Sequence, residues 1–151
     1  MRFKLFRENG ALNSAPVFDA FAKSLSVFEH IEHDDFQVAV IWSVLWNGRM
    51  SKNKEIWEHC QKNNIPVIVL EVGGIKRGTT WKVGINGINR EAYFGDLGNS
   101  DDRVKKFNLK LSPWVEQGRD IIVCGQHDKS HQWRNMPPMS QWVLDLSLIH
   151  I

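Results

Sequence analysis

Apolar positions along the chain follow two rhythms, and the alternation between them predicts its elements. Phe3 to Phe6 forms a short apolar run that reads as a strand. A helix is expected next, with Ser14 as its cap, Pro16 in its first turn, and Phe18, Phe21, Ala22, Leu25 and Phe28 recurring at helical spacing. Val38 to Leu45 is continuously apolar and rich in β-branched residues, as befits a central strand covered on both faces. The segment Ser51 to Asn64 reads as a helix with Ile56, Trp57 and Cys60 on one face; Asn63 and Asn64 stand near its end, before Pro66 admits a new strand from Val67 to Val72. Farther on, Val104, Phe107 and Leu111 predict a helix that stops at Pro113. Asp120 to Cys124 reads as another buried strand, and Met139 to Leu146 as the first turns of a last helix.

Strands alternating with helices in one sheet imply right-handed crossovers, hence an α/β fold: a three-layer sandwich on a mainly parallel sheet. In such sheets ligands gather at the carboxyl ends of the strands, where helix N-termini direct their amides toward anions. The polar clusters of this sequence fall at those places, after each predicted strand.

Composition narrows the classes. The chain has 151 residues, 42% hydrophobic, which suits one compact domain with one core. A formal charge of +2, spread over 19 basic and 17 acidic residues, shows no clear nucleic-acid signature. No window approaches the roughly 20 apolar residues of a membrane span, and the N-terminal stretch turns polar too early for a signal peptide, so a cytoplasmic location is expected. Two cysteines, Cys60 and Cys124, offer no disulfide framework. Seven tryptophans are many for this length; most are expected to fill core, the others to flank a ligand.

Four loops carry the candidate chemistry. After the central strand come Trp46, Asn47, Gly48 and Arg49, beside a helix start; the alternative is a plain loop capped by Ser51. In the segment following Val72, Gly73, Gly74 and Gly78 permit close backbone approach, and Arg77 offers a planar fork for phosphate or carboxylate. This spacing is neither GxGxxG nor a P-loop. Glu71, late in a buried strand, needs a partner, for which Arg77 and Arg49 are suited. Trp81, Asn86 and Asn89 then supply a ring and amides of the kind that read hydroxyl-rich ligands, while Asn86 and Gly87 also suit a hairpin turn between residues 81–85 and 88–94. Gln126, His127, Asp128, Ser130 and His131 cluster after the last strand, with Gln126, Asp128 and Ser130 the binding candidates. Zinc on Cys124, His127 and His131 lacks a fourth ligand, and a Ser-His-Asp triad lacks its GxSxG elbow.

Read together, the segments "VIWSVLWNGRMSKNKEIWEHC", "VIVLEVGGIKRGTTWKVGINGINREAYFG" and "IIVCGQHDKSHQW" resemble phage and bacterial glycosyltransferase-like proteins related to capsular polysaccharide synthesis enzymes, over about Val38 to Trp142. The resemblance implies a Rossmann-like domain, the N-terminal half of a GT-B architecture, with a second, donor-binding domain missing from this chain. It implies transfer of a sugar from an activated nucleotide sugar to a glycan or other hydroxyl acceptor, with no metal or other cofactor, positive groups and helix dipoles stabilising the departing phosphate. Under it, Glu71 and Asp128 are the carboxylates to test for catalysis, Arg49 and Arg77 supply electrostatics, Trp81 stacks on a sugar ring, and Asn86 and Asn89 orient hydroxyls. The competing class is a non-enzymatic module of the same fold that binds a carbohydrate or nucleotide. A sugar hydrolase is the poorer option, because Glu71 and Asp128 have no evident carboxylate partners.

The last six residues, 146–151, read "LSLIHI", which matches one translated frame of the transposon end used to fragment DNA for sequencing. The native domain is therefore expected to span residues 1–145, followed by a non-native tail, and the isolated chain is expected to be inactive as a transferase.

Overall fold

The computed structural model describes every residue except Arg90, Asp96, Leu97, Asn99, Val115, Arg119, Asp120, Ile121, His131, Gln132, Arg134 and Ile151, together with the side chains of Ile149 and His150. The chain divides into two compact units, Met1–Phe94 and Gly95–Ile151.

The first unit is an α/β structure built on a mostly parallel sheet. Its elements are β1 (Arg2–Leu5), α1 (Ala15–Ser24), β2 (Glu29–His30), β3 (Val38–Trp42), α2 (Lys52–Lys62), β4 (Val67–Val72) and β5 (Trp81–Ile85). Among the described residues the sheet has five strands in the order β2-β1-β3-β4-β5. β1, β2, β3 and β4 run parallel, and β5 returns antiparallel to β4. The apolar run from Val38 forms the middle strand, as its pattern required, and all five of its residues are buried.

Alternation along the strands separates two cores. On one face α1 contributes Val17 and Phe18 against Phe3, Leu5, Val38, Val40, Trp42 and Leu70. On the other, Cys60 of α2 is buried with Phe6, Ala39, Ile41, Val67 and Val69, and Ile56 and Trp57 pack against them. One helix on each face is what short crossovers on opposite sides of a parallel sheet produce. The buried apolar residues described in the chain all belong to this first unit.

Helix ends follow local chemistry. α2 closes in a Schellman motif: Asn64 takes a positive φ of 55°, its amide bonds Gln61 O, and Ile65 N reaches back to Cys60 O at 2.8 Å. Ser14, expected to cap α1, does something else. It is 2% exposed and its hydroxyl donates to Ala11 O at 2.8 Å, so its side chain fastens the preceding turn and caps no helix amide. Phe28 also departs from the pattern: α1 ends at Ser24, and Phe28 lies beyond it, 39% exposed, before the short edge strand β2 that periodicity missed.

In the second unit α3 spans only Asp102–Lys106 and α4 spans Met139–His150. The helix expected to run to Pro113 stops early because Phe107 and Leu111 meet no core; Leu111 is 84% exposed. The strand expected over Asp120 to Cys124 is not formed by its described residues: Ile122 is 82% exposed, and Val123 and Cys124 are also exposed. Its first two residues, Asp120 and Ile121, lie outside the described residues. β-branched composition selects a strand only where a sheet exists to pair with it.

Candidate functional site

The strand order turns between β1 and β3. From β1 the chain crosses over α1 to β2 on one side, and from β3 it crosses over α2 to β4 on the other. The carboxyl ends of β1 and β3 therefore feed loops that leave in opposite directions, and the crevice between them is where open α/β sheets receive ligands.

The hydrogen bonds show how the two strands part at this end. Phe3, Lys4 and Leu5 pair with Val38, Ala39 and Val40, and the last rung is Phe6 N to Val40 O at 3.0 Å. In a parallel ladder the next donor, two residues on, would be the Glu8 amide reaching Trp42 O. Instead Arg7–Asn9 folds into a 3-10 turn, closed by Gly10 N to Arg7 O at 3.0 Å. Asn53, in the first turn of α2, takes the vacated position: its Nδ2 donates to Trp42 O at 2.7 Å and to Asn9 O at 3.3 Å.

Several other polar residues are buried in the segments that leave these strand ends. Asn9 is 5% exposed, and Ser43 is 1% exposed with a positive φ of 62°. Left-handed backbone at a non-glycine residue costs about 1 kcal/mol or more. Here two bonds hold it: Ser43 N donates to Leu70 O at 2.8 Å, and Ser43 Oγ accepts from Leu45 N at 3.1 Å. Sequence reasoning missed Asn9, Ser43 and Asn53. Asparagine in the first turn of a helix following a buried strand was the available signal for the last of these.

The residues singled out from the sequence distribute as follows. Asn47 and Arg49 are exposed on the segment after β3, Asn47 immediately before the 3-10 turn Gly48–Ser51. Glu71 is the penultimate residue of β4, and Arg77 is exposed in the loop between β4 and β5. Trp81 opens β5. These five stand at one edge of the sheet, the carboxyl edge of its parallel strands.

Glu71 does not pair as expected. Among the described residues no ion pair joins it to Arg77 or Arg49; its Oε1 accepts from the Val72 amide at 2.8 Å, and its cross-strand neighbour is Lys82. The ring of Trp81 meets Trp42 edge-on, centroids 5.8 Å apart, and is half-buried against the α1 face. Trp46 and Trp57 also pair, in a tilted arrangement with centroids 5.9 Å apart.

Asn86 and Asn89 belong to the opposite edge. Asn86 Oδ1 accepts from Val67 N at 2.9 Å, where β4 begins. The tight Asn86-Gly87 hairpin is replaced by a wider return, in which Tyr93 bridges Ile85 and Ala92 N bonds Asn89 O at 2.8 Å. A hollow of about 200 Å³ lies at this edge, lined by Cys60, Gln61, Asn64, Ile65, Pro66 and Asn86. That is smaller than the roughly 300 Å³ at which small-molecule sites begin. Burial pushes the Cys60 thiol up to about 11.

Gln126, Asp128 and Ser130 lie in the second unit. Gln126 Nε2 donates to Ser130 Oγ at 3.1 Å, and Asp128 Oδ1 accepts from Met139 N at 2.7 Å, at the N-terminus of α4. A carboxylate there complements the helix dipole. His131, part of the zinc alternative, lies outside the described residues; among the described residues no cluster of three or more His, Cys, Asp or Glu is placed to hold a metal ion. No described helix is long and apolar enough to cross a membrane.

Comparison with family models, curated proteins and solved structures gives no match to this chain.

Proposed function

We propose that Met1–Phe94 is a ligand-binding unit that receives a nucleotide or nucleotide sugar in the crevice between the carboxyl ends of β1 and β3. The observation that carries this reading is the turn of the strand order at β1 and β3, with helices on opposite faces and polar loops at both strand ends. On this reading the unit is a Rossmann-like domain. Arg49 and Arg77, exposed on the loops following β3 and β4, provide positive charge for a phosphate, and Asn47 provides an amide for a hydroxyl.

Glycosyl transfer is the wider role that the resemblance to capsular polysaccharide glycosyltransferases implies, and on it this unit supplies half of a GT-B enzyme. Two observations favour the narrower, non-enzymatic reading for the chain itself. Glu71 is engaged by the Val72 amide and Asp128 by the Met139 amide, so each carboxylate already has a local partner. Binding without turnover is therefore the expected behaviour.

Isothermal titration of the full chain with a panel of uridine, guanosine, cytidine and thymidine diphosphate sugars tests the proposal. Saturable binding of at least one, without release of free sugar, is expected. No binding across the panel would defeat the reading, and sugar release would return the chain to the transferases.

A further inference from the structure

Asn53 is 0% exposed, yet it is polar and belongs to a helix whose other buried residue is Cys60. A buried amide persists when its hydrogen bonds hold something that must be held. What Nδ2 holds is specific: the carbonyl of Trp42 on the end of β3 and the carbonyl of Asn9 on the turn that leaves β1. These are the two strand ends between which the ligand is proposed to bind. One side chain thus replaces the missing rung of the ladder and fixes how far the Arg7–Asn9 turn stands from β3. Its Oδ1 is also buried and has no hydrogen-bond partner among the described residues, so the amide is oriented by its two donations alone.

We propose that Asn53 is the positioning residue of the crevice: by bridging Trp42 and Asn9 it sets the separation of the two loops between which the ligand binds. The proposal rests on the nucleotide-binding reading for its ligand, and on the two hydrogen bonds of Nδ2 for its geometry.

Asn53→Asp is the informative variant because it preserves shape and replaces the donor. Ionised, the introduced carboxylate would face two carbonyl oxygens; protonated, it regains one O–H donor. Both burial and those carbonyls raise the folded pKa of the new carboxyl above its unfolded value of about 3.9. The loss is therefore complete above the folded pKa and recedes as pH falls through it. Asn53→Leu, which fills space but never donates, shows no such recovery.

The experiment uses the full chain, with uridine diphosphate as the probe and hydrogen exchange at residues 7–10 as a second readout. In Asn53→Asp at pH 8 exchange at residues 7–10 is expected to rise about tenfold, the equivalent of one hydrogen bond, and to fall back toward the wild-type ratio at pH 5. Affinity for uridine diphosphate is expected to drop about tenfold at pH 8 and to recover in parallel. Asn53→Leu should lose both at both pH values. Unchanged exchange in Asn53→Leu overturns the bridge. Altered exchange with unchanged affinity overturns its positioning role. Should the wild type bind neither uridine diphosphate nor the guanosine, cytidine and thymidine diphosphates, the nucleotide reading fails, while exchange at residues 7–10 still decides whether Asn53 holds the two strand ends.

Discussion

Asn86 docks on Val67 through both its backbone and its side chain: its amide donates to Val67 O at 2.7 Å, and its Oδ1 accepts from Val67 N at 2.9 Å. One residue thereby completes both bonds at the start of β4, from a left-handed backbone with φ 54°. A residue chosen from the sequence as a hydroxyl reader turns out to close the sheet.

Replacement of Asn86 separates the two features. Asn86→Gly keeps the positive φ accessible and deletes the side-chain acceptor, at an expected cost of about 1 kcal/mol. Asn86→Ala adds left-handed strain, for a total of about 2 kcal/mol or more. Urea unfolding of both variants checks this; equal stability of the two would show that strain at this position is unimportant.

Gly73 makes the loop between β4 and β5 possible by a different means. A Cβ built there would lie 2.3 Å from Thr80 O and 2.5 Å from Thr80 Oγ1. Thr80 is fixed by its backbone bond from Gly73 N at 3.0 Å and by its hydroxyl bond to Lys76 O. Gly73→Ala is expected to cost about 2 kcal/mol through this clash, whereas Gly74→Ala, with open space around its Cβ, should change stability by less than about 0.5 kcal/mol. Paired denaturation curves make the comparison.

The two cysteines should behave oppositely. Cys124 is exposed and Cys60 is fully buried, with its thiol held protonated by burial. A thiol reagent at neutral pH is expected to label Cys124 within minutes and Cys60 only on unfolding, as peptide mass spectrometry would show. In alkali the sign follows from linkage. The unfolded thiol ionises near 9.0 and the folded one at about 11, so the unfolded chain releases its proton first and stability falls across that interval. Cys60→Ala should remove that component of the alkaline decline.

Asp128 is expected to matter to α4 more than to chemistry. Asp128→Ala removes the acceptor of Met139 N and should weaken the first turn of the helix by about 1 kcal/mol. Faster amide exchange confined to the start of α4 would agree; loss of nucleotide binding would not.

Much of the sheet was legible because its middle strands, β3 and β4, contribute to the cores on both faces. Val38–Trp42 carries its assignment in uninterrupted apolar sequence and Val67–Val72 in a run broken only by Glu71, and Asn64 with Pro66 marks the end of α2. β2 was illegible because its two residues, Glu29 and His30, are exposed and polar; backbone pairing with β1 and the stacking of the His30 ring on Phe3 leave no apolar pattern in the sequence. The segment at Ile122 misled for the converse reason: its composition suits a strand, but no described strand takes it as a partner. At the site, conspicuous residues drew attention while Asn53 did not, since a buried asparagine's importance lies in carbonyls supplied by distant segments. Tryptophans show the same limit. Among the described residues six of the seven stand in ring pairs, 42 with 81, 46 with 57 and 133 with 142, and Trp114 is 88% exposed. Pairing of this kind is a property of the fold and leaves no spacing in the sequence.

The most direct measurement is a backbone-amide chemical-shift titration of the full chain with uridine diphosphate glucose. Saturable shifts concentrated at residues 7–10 and 43–53, the loops at the carboxyl ends of β1 and β3, are expected. Shifts centred on Cys60 to Pro66 and Asn86 at the opposite edge, or none at millimolar concentration of this or the guanosine, cytidine and thymidine diphosphate sugars, would contradict a nucleotide site between β1 and β3.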